Sequence, residues 1–279
     1  MKKLINKAIP KTVGALLNAS SLINSKYAAA KALALFATPR KGLIKEHQTP
    51  FLDTAEKSNL DYKGFSIMTY QWQGPGKTIL LCHGWESNAY RWKTLIELLQ
   101  KASYNIVALD APAHGNSDSK QFNAVLYAEF INVVSKAFNP SILIGHSVGG
   151  MASVFYQSNY KQGTLEKLIL LGAPSAFEII LKNYIDMLGY NSKVERSLER
   201  LITDTFGATP SEFSTAKLAS KITVDGLIVH DTKDKIIPFS EAELIHKHYK
   251  TSQLVKTKGH GHSLNHPEVY EHVANFINN

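Results

Sequence analysis

The sequence predicts an α/β fold in which a mostly parallel sheet is covered by helices on both faces. Three observations predict it. Short apolar runs alternate with helical stretches over most of the chain, a glycine-rich turn joins one apolar run to a helix, and one long interval without a strand interrupts the alternation. The length of 279 residues and an apolar fraction of 44% exclude collagen, coiled coil and wholesale disorder.

The predicted elements follow in chain order. Lys63-Gly64 is typical of a hairpin turn, and residues 65–72 alternate as a half-buried strand. The apolar runs that follow are predicted strands at residues 78–82, 105–110, 141–145, 167–171, 225–230 and 252–257. Helical periodicity is present at residues 89–100, 122–138, 148–160, 240–248 and 267–277. This alternation favours parallel pairing, because a crossover helix returns the chain to the same end of the sheet.

The interval between Leu171 and Asp225 has helical periodicity at residues 177–188, 194–206 and 210–218 but no clear strand. Helices inserted between two strands predict a cap over one edge of the sheet. Its large apolar residues could form the core of the cap or line a substrate pocket, and both interpretations stay open. These residues are Phe177, Ile180, Tyr184, Met187, Leu188, Phe206 and Phe213.

The basic residues are concentrated near the N-terminus. The net charge is +8, yet residues 1–50 hold nine Lys or Arg and one acidic residue, which leaves 22 basic and 22 acidic residues in the remaining chain. A neutral main body gives no argument for nucleic-acid binding, so we expect no nucleic-acid partner. The single cysteine, Cys82, cannot form an internal disulfide and favours a reducing compartment, which predicts a cytoplasmic location.

The first 40 residues show helical periodicity that polar residues interrupt. Pro10, Lys11 and Asn18 break the apolar runs, and none approaches the roughly 20 apolar residues of a membrane span. Two amphipathic helices that pack on the main domain are one interpretation. Peripheral contact of a basic amphipathic helix with an anionic membrane, through residues 1–40, is the other.

Three parts of the chain follow from these patterns. Residues 1–42 are predicted to be an N-terminal helical extension, and residues 173–220 a helical cap. Residues 43–172 and 221–279 together form the predicted α/β core.

Gly145-His146-Ser147-Val148-Gly149 carries the strongest chemical signal. This G-x-S-x-G motif follows an apolar run and precedes a helical stretch, so its context is strand, sharp turn, helix. Such a turn forces the serine into a strained conformation with its hydroxyl exposed above the sheet. A side chain at either outer glycine would collide across the turn. Ser147 is therefore the predicted nucleophile, with Gly145, His146 and Gly149 as supporting residues.

The second signal is His83-Gly84-Trp85, directly after the predicted strand at 78–82. A tetrahedral oxyanion needs two preorganised hydrogen-bond donors. The N–H of Val148, the residue after the nucleophile, is one, and the N–H of Trp85 is the natural second. His83 and Gly84 are supporting residues. His83 lies far before the nucleophile in the chain, and we interpret it as ordering this loop rather than as a base.

Together these motifs resemble the α/β-hydrolase superfamily, and in particular its serine-nucleophile, esterase- or lipase-like members with a helical cap. The segments that carry the resemblance are His83-Gly84-Trp85, Asp110-Ala111-Pro112-Ala113-His114-Gly115-Asn116-Ser117 and the serine motif. The resemblance implies the chain order nucleophile, acid, histidine, with the cap between strands six and seven. The chain departs from the family at Ala113, where the family usually has glycine. Asp110 and His114 are interpreted as structural.

The resemblance also implies the other two catalytic residues. Residues 230–238 are similar to the family's Gly-x-x-Asp-x-x-Val-Pro turn, in which Asp234 holds the aspartate position. Asp231 is interpreted as a turn residue that accepts backbone N–H bonds. The family has Gly-x-Gly-His after the last strand, which selects His262 over His260. The implied catalytic triad is Ser147, Asp234 and His262.

A metal site is the alternative interpretation of the histidines. His260, His262 and His266 fall within seven residues, but no cysteine or acidic cluster accompanies them, so we predict neither a metal nor a cofactor. Cys82, inside a predicted strand, is interpreted as a buried structural thiol, because no sharp turn presents it.

The predicted reaction is hydrolysis of a carboxylic ester with an apolar acyl or alcohol group, through an acyl-serine intermediate. A serine at the turn disfavours the haloalkane dehalogenases and epoxide hydrolases of the superfamily, which use aspartate. Thioesters, lactones, carbon–carbon hydrolysis and acyl transfer use the same machinery and stay open. So do a hydrolase-like receptor for a small ligand with little turnover and a membrane-associated lipase. The expected partner is a small-molecule ester, and the oligomeric state stays unknown.

Overall fold

One sheet of eight strands organises the computed structural model, which describes residues 2–279 and the side chains of residues 9–279. The strands are β1 (Glu56–Tyr62), β2 (Phe65–Trp72), β3 (Thr78–Cys82), β4 (Asn105–Leu109), β5 (Ile142–His146), β6 (Lys167–Leu171), β7 (Asp225–Asp231) and β8 (Ser252–Thr257). Their order across the sheet is β1-β2-β4-β3-β5-β6-β7-β8. β2 pairs antiparallel with β1 and β4, and every other pair is parallel. The predicted mostly parallel α/β fold is confirmed.

Helices precede, connect and follow these strands along the chain. They are α1 (Lys2–Ile23), α2 (Ser25–Ala37), α3 (Thr49–Leu52), α4 (Lys93–Lys101), α5 (Ala124–Phe138), α6 (Val148–Tyr160), α7 (Phe177–Leu188), α8 (Ser192–Phe206), α9 (Thr215–Ala219), α10 (Phe239–His248) and α11 (Pro267–Asn278). Across residues 2–279, no helix combines the length and the apolar character that crossing a membrane requires.

The chain divides into two compact units. A helical unit comprises Met1–Thr38 and Ala176–Ser214, and an α/β unit comprises Pro39–Ser175 and Thr215–Asn279. Most of the extension predicted at residues 1–42 and most of the cap predicted at residues 173–220 lie in the helical unit. The assignment of these segments as an extension and a cap stays a prediction.

The α/β unit buries apolar side chains on both faces of its sheet, because successive strand residues point to opposite sides. On one face, Ile79 and Leu81 of β3 and Ile144 of β5 belong to a buried cluster that also contains residues of α4 and α11. The alternate residues Leu80 and Leu143 are buried as well. This two-sided burial explains why the central strands are continuous apolar runs in the sequence.

In the helical unit, the N-terminal helices pack on α7 and α8. Ala28, Ala29 and Ala32 of α2 are buried in one cluster with apolar residues of α7 and α8. The Tyr184 hydroxyl donates a hydrogen bond of 2.9 Å to the carbonyl of Ala32. The apolar face of α2 is therefore covered by α7 and α8, which is why two segments so distant in sequence form one unit.

The apolar residues considered for the cap divide between core and surface. Tyr184 and Leu188 are buried in the core of the helical unit, and Phe177 and Phe213 pack against it. Met187 is exposed.

Most predicted elements lie within two residues of the observed ones, and the differences include the short helix α3, strand β1 and residues 210–218. The sequence does not predict β1, whose residues are mostly polar because it is an edge strand that pairs only with β2. The helix predicted at residues 210–218 is wrong over its first half, and only Thr215–Ala219 is helical. The Glu212 carboxylate accepts hydrogen bonds from the Thr209 N–H and hydroxyl, which holds a tight turn there instead.

Candidate active site

Ser147 lies in the turn between β5 and α6, at the carboxyl end of a central parallel strand. Its backbone has φ 53° and ψ −124°, and such a conformation costs on the order of 1–3 kcal/mol in a residue other than glycine. The Ser147 N–H donates to the carbonyl of Leu171 in β6 at 2.8 Å, and the Ser147 carbonyl accepts from the Gly150 N–H at 2.9 Å. These bonds hold the serine in its strained turn.

Two glycines of the motif leave no room for a side chain. A Cβ on Gly145 would lie 2.6 Å from Gly150 Cα, and a Cβ on Gly149 would lie 2.4 Å from the carbonyl oxygens of Cys82 and His83. The colliding atoms belong to the backbone and cannot rotate away. The tight turn is therefore possible only with glycine at both positions.

The structure brings the hydroxyl of Ser147, the imidazole of His262 and the carboxylate of Asp234 into one hydrogen-bonded chain. His262 Nε2 lies 2.9 Å from Ser147 Oγ, and His262 Nδ1 lies 2.7 Å from Asp234 Oδ2. A carboxylate only accepts hydrogen bonds, so Nδ1 carries the ring proton and Nε2 accepts from the serine hydroxyl. The three residues follow β5, β7 and β8, whose carboxyl ends lie at one edge of the parallel part of the sheet.

The Asp234 side chain is buried but held in its ionised form. Burial alone would raise its pKa, but hydrogen bonds from His230, His262 and two backbone amides outweigh burial and hold the pKa of Asp234 well below its usual range. The N–H groups of Ile236 and Ile237 donate to Oδ1 at 2.7 and 3.0 Å, which leaves Oδ2 for the imidazole. His230 Nε2 lies 3.4 Å from the same Oδ2. Sequence reasoning missed the role of His230, because the family turn that residues 230–238 resemble requires no histidine.

The loop after β3 lies directly against the serine turn. A Cβ on Gly84 would come within 2.8 Å of His146 Nδ1 and 3.1 Å of Ser147 Cβ. The His83 ring orders this loop, because its Nδ1 donates to the Gly84 carbonyl at 2.7 Å and its Nε2 accepts from the Ala111 N–H at 2.9 Å. Burial holds the pKa of His83 well below its usual range, so the ring is neutral and acts as a fixed link.

Two backbone amides near the serine are available to bind an anion. Within residues 2–279, neither the Trp85 N–H nor the Val148 N–H donates a hydrogen bond. Val148 is the first residue of α6, so its N–H belongs to the helix end that attracts negative charge. These are the two amides that the sequence motifs predict as the oxyanion hole.

Two further side chains hold the backbone of the His262 loop. His146 Nε2 donates to the His262 carbonyl at 2.8 Å, and Arg91 Nη2 donates to the Ser263 carbonyl at 2.7 Å. Burial, together with the nearby charge of Arg91, keeps the pKa of His146 well below its usual range. Sequence reasoning missed both roles, because every residue has a backbone carbonyl, and a bond to it therefore requires no particular residue type in the partner.

Other candidate residues occupy positions outside the hydrogen-bonded chain. Asp231 accepts from the backbone N–H groups of Lys233 and His260 at 2.8 Å each, as expected for a turn residue. The His260 ring contacts Glu268 at 2.9 Å. Burial raises the pKa of Cys82 to about 12, so this thiol stays protonated inside its strand.

Asp110 and His114 join neighbouring loops. His114 Nε2 accepts from the Glu86 N–H at 2.9 Å, and its Nδ1 donates to the Pro112 carbonyl at 2.8 Å. Asp110 accepts from three donors that belong to different segments. Both contact sets are those of structural residues.

A group of side chains able to ligate a metal lies near the hydrogen-bonded chain of Ser147, His262 and Asp234 without sharing a residue with it. His260, His266 and Glu268 offer ligand atoms within 4.8 Å of one another, and the two imidazoles stack with centroids 4.0 Å apart. Glu268, from the first turn of α11, supplies the acidic ligand that the sequence interpretation did not count. Both ring nitrogens of His262 are engaged by Ser147 and Asp234. His262 therefore has no ring nitrogen left for a metal in this hydrogen-bonded chain. That the protein holds no metal stays a prediction.

The fold and this site together define an enzyme of the hydrolase class. A sequence model of the alpha/beta hydrolase fold family matches residues 77–220. The chain belongs to the alpha/beta hydrolase fold family.

Two curated relatives cover most of the chain. The uncharacterized hydrolase YugF of Bacillus subtilis (strain 168) is 23% identical over 266 residues, which span 77% of this chain and 95% of the relative. A pimeloyl-acyl-carrier-protein methyl ester esterase of Neisseria meningitidis is 24% identical, across 70% of this chain and 90% of its own. Among solved structures, an esterase from Exiguobacterium antarcticum is similar with a TM-score of 0.64 and 21% identity, over 80% of this chain and 100% of that one.

Proposed function

We propose that this protein is a serine hydrolase that cleaves a carboxylic ester through an acyl-serine intermediate. The observation that carries the proposal is the continuous hydrogen-bonded chain from Asp234 through His262 to Ser147. Its geometry fits general-base activation of a hydroxyl, because the nitrogen that faces the serine has a free lone pair. The two unpaired amides and the strained serine turn support the same assignment.

In the first half of the reaction, Ser147 Oγ attacks the ester carbonyl carbon while His262 Nε2 takes the hydroxyl proton. The carbonyl oxygen becomes an oxyanion, which the N–H groups of Trp85 and Val148 stabilise. The C–O bond to the alcohol then breaks, and the imidazolium gives its proton to the leaving alkoxide. The products are a free alcohol and an acyl group on Ser147.

In the second half, His262 removes a proton from water, and the resulting nucleophile attacks the acyl carbon. The same amides hold the second oxyanion, and the imidazolium returns its proton to Ser147 Oγ as the acid leaves. Asp234 stays ionised throughout, because its pKa is held low, and it stabilises the imidazolium without taking the proton.

Carboxylic esters are the leading substrate class because two of the similar proteins are named esterases. An apolar acyl or alcohol group stays a prediction, since Tyr184 and Leu188 form the core of the helical unit rather than a demonstrated pocket. A cytoplasmic location also stays a prediction, which rests on the single thiol of Cys82.

A panel of p-nitrophenyl esters of increasing acyl length, with a lactone and an acyl thioester as further arms, tests the proposal. The protein should hydrolyse at least one ester, and Ser147→Ala should lower kcat on the order of 10⁶-fold. Ser211→Ala, which changes an exposed serine of the helical unit, is the matched control and should retain full activity.

Each contrary result has a distinct meaning. Full activity of Ser147→Ala would assign the chemistry to other residues. Cleavage of the lactone or the thioester alone would replace the substrate class. Tight binding of an ester without turnover would favour the receptor interpretation.

A further inference from the structure

An uncovered apolar stripe runs along α1. Ile9, Leu16 and Ile23 are spaced by seven residues, which places them on one side of a helix, because seven residues make almost two turns. Their exposed fractions are 54%, 67% and 94%. At the neighbouring helix end and the start of α2, Leu22 and Tyr27 are exposed as well.

This stripe is not the face that α1 uses for folding. Val13 and Leu17 pack against the core of the helical unit, and a Cβ on Gly14 would lie 1.9 Å from the carbonyl oxygen of Leu188. Asn18 Nδ2 donates to the Gly189 carbonyl at 2.9 Å. The packed face is therefore small and partly polar, whereas large aliphatic side chains point away from it. A helix that served only for packing would carry its large aliphatic side chains on the packed face, whereas Ile9, Leu16 and Ile23 are exposed.

The charge of the same segment is one-sided. Residues 1–38 contain six lysines and no acidic residue, although the chain beyond residue 50 is electrically balanced. Lys26 and Lys31 of α2 are exposed. Exposed aliphatic residues beside an excess of lysine are the signature of a surface that attracts anionic lipid, because apolar side chains enter the acyl boundary while lysines reach the headgroups.

We propose that α1 and α2 form a peripheral docking surface for an anionic phospholipid membrane, with the stripe Ile9, Leu16 and Ile23 inserted at the interface. Charge complementarity favours this occupant over a second copy of the chain, because pairing two such segments would bring like charges together. The proposal does not depend on the chemistry at Ser147. Membrane binding can therefore fail while the hydrolase assignment stands, and the hydrolase assignment can fail while membrane binding is observed.

Vesicle co-sedimentation of the full-length protein tests it. Phosphatidylcholine vesicles that contain phosphatidylglycerol should pellet the protein, and pure phosphatidylcholine vesicles should bind it at least about tenfold more weakly. A triple variant, Ile9→Gln, Leu16→Gln and Ile23→Gln, should lower the partition coefficient about tenfold or more, because each replacement removes apolar surface from the interface. Lys26→Gln with Lys31→Gln should lower it on the order of tenfold.

The matched control replaces exposed apolar residues of the α/β unit, Leu98→Gln with Leu244→Gln, and should bind vesicles like the unchanged protein. The melting temperature of each variant checks folding, and single Ile23→Gln serves if the triple variant unfolds. The proposal is overturned if the protein stays in the supernatant with both vesicle types, or if the control loses binding as much as the triple variant. It is also overturned if light scattering shows a dimer that the triple variant dissociates without any vesicle binding.

Discussion

The loops after β4 and β7 each hold a buried aspartate, and the two carboxylates differ in what donates to them. Asp110 accepts from the Ala89 N–H at 2.9 Å, the Asn116 N–H at 2.9 Å and the Tyr70 hydroxyl at 3.0 Å. A Cβ on Gly115, whose φ is +52°, would lie 2.0 Å from that carboxylate, so the loop closes on it completely. Burial raises the pKa of Asp110 to about 6.

Asp234 also accepts from two backbone amides, but its side-chain donor is the imidazole of His262 rather than a tyrosine hydroxyl, and its pKa is held low. The difference shows that burial alone does not mark a functional carboxylate. Asp110 joins loops to one another, whereas Asp234 joins a fixed turn to a ring whose other nitrogen faces Ser147. Substitution of Asp110 should therefore lower the stability of the fold, and substitution of Asp234 should lower the rate of turnover.

Between the two carboxylates, the larger expected effect on turnover follows from Asp234→Asn. The amide cannot stabilise an imidazolium and allows the wrong ring tautomer, so kcat should fall about 10⁴-fold while the fold is retained. Steady-state kinetics on the best ester of the panel, with thermal melting beside them, measure both quantities. Activity within about tenfold of the unchanged protein would remove Asp234 from the mechanism.

Asp110→Asn is the matched comparison. One donor loses its acceptor inside the core, so the free energy of unfolding should fall by about 1–3 kcal/mol. Urea unfolding measures this, and kcat of the folded variant should change by less than about tenfold. A collapse of kcat with unchanged stability would mean that Asp110, not only Asp234, acts on the reaction.

His146→Leu tests whether Asp234 alone positions His262. Loss of the 2.8 Å bond to the His262 carbonyl should lower kcat about tenfold and leave KM nearly unchanged. His146→Gln keeps an N–H donor at that place and should restore most of the rate. Equal loss in both variants would show that His146 matters through packing instead.

The smallest effect is a pH dependence of stability that distinguishes the two carboxylates. Since the pKa of Asp110 is raised in the folded state, its contribution to stability is largest below its unfolded pKa and decreases as pH rises towards about 6. The stability gap between the unchanged protein and Asp110→Asn should narrow by on the order of 1 kcal/mol between about pH 4 and pH 7. A gap that widens over that range would contradict the raised pKa.

The lowered pKa of Asp234 has the opposite sign. Its contribution is complete above its unfolded pKa of about 3.9 and is lost as pH falls further. The stability gap between the unchanged protein and Asp234→Asn should therefore stay constant between about pH 5 and pH 7 and narrow only as pH falls below about 4.

Local patterns predicted the central strands and the serine of the hydrogen-bonded chain. The glycines around Ser147 could be interpreted from the sequence alone, because a turn without room for a Cβ atom requires glycine. The resemblance to a known family placed Asp234 and His262. What could not be predicted depends on distant partners. The Arg91 bond to the Ser263 carbonyl is one example, and the packing of α2 on α7 and α8 is another.

Covalent trapping at Ser147 tests the central claim most directly. The full-length protein is incubated with a p-nitrophenyl alkylphosphonate ester and analysed by intact mass and peptide mapping. We predict a single adduct on the peptide that contains Ser147, released p-nitrophenol in equal amount, and no adduct on Ser147→Ala. An adduct on another residue, or none while ester hydrolysis proceeds, would contradict the assignment of Ser147 as the nucleophile.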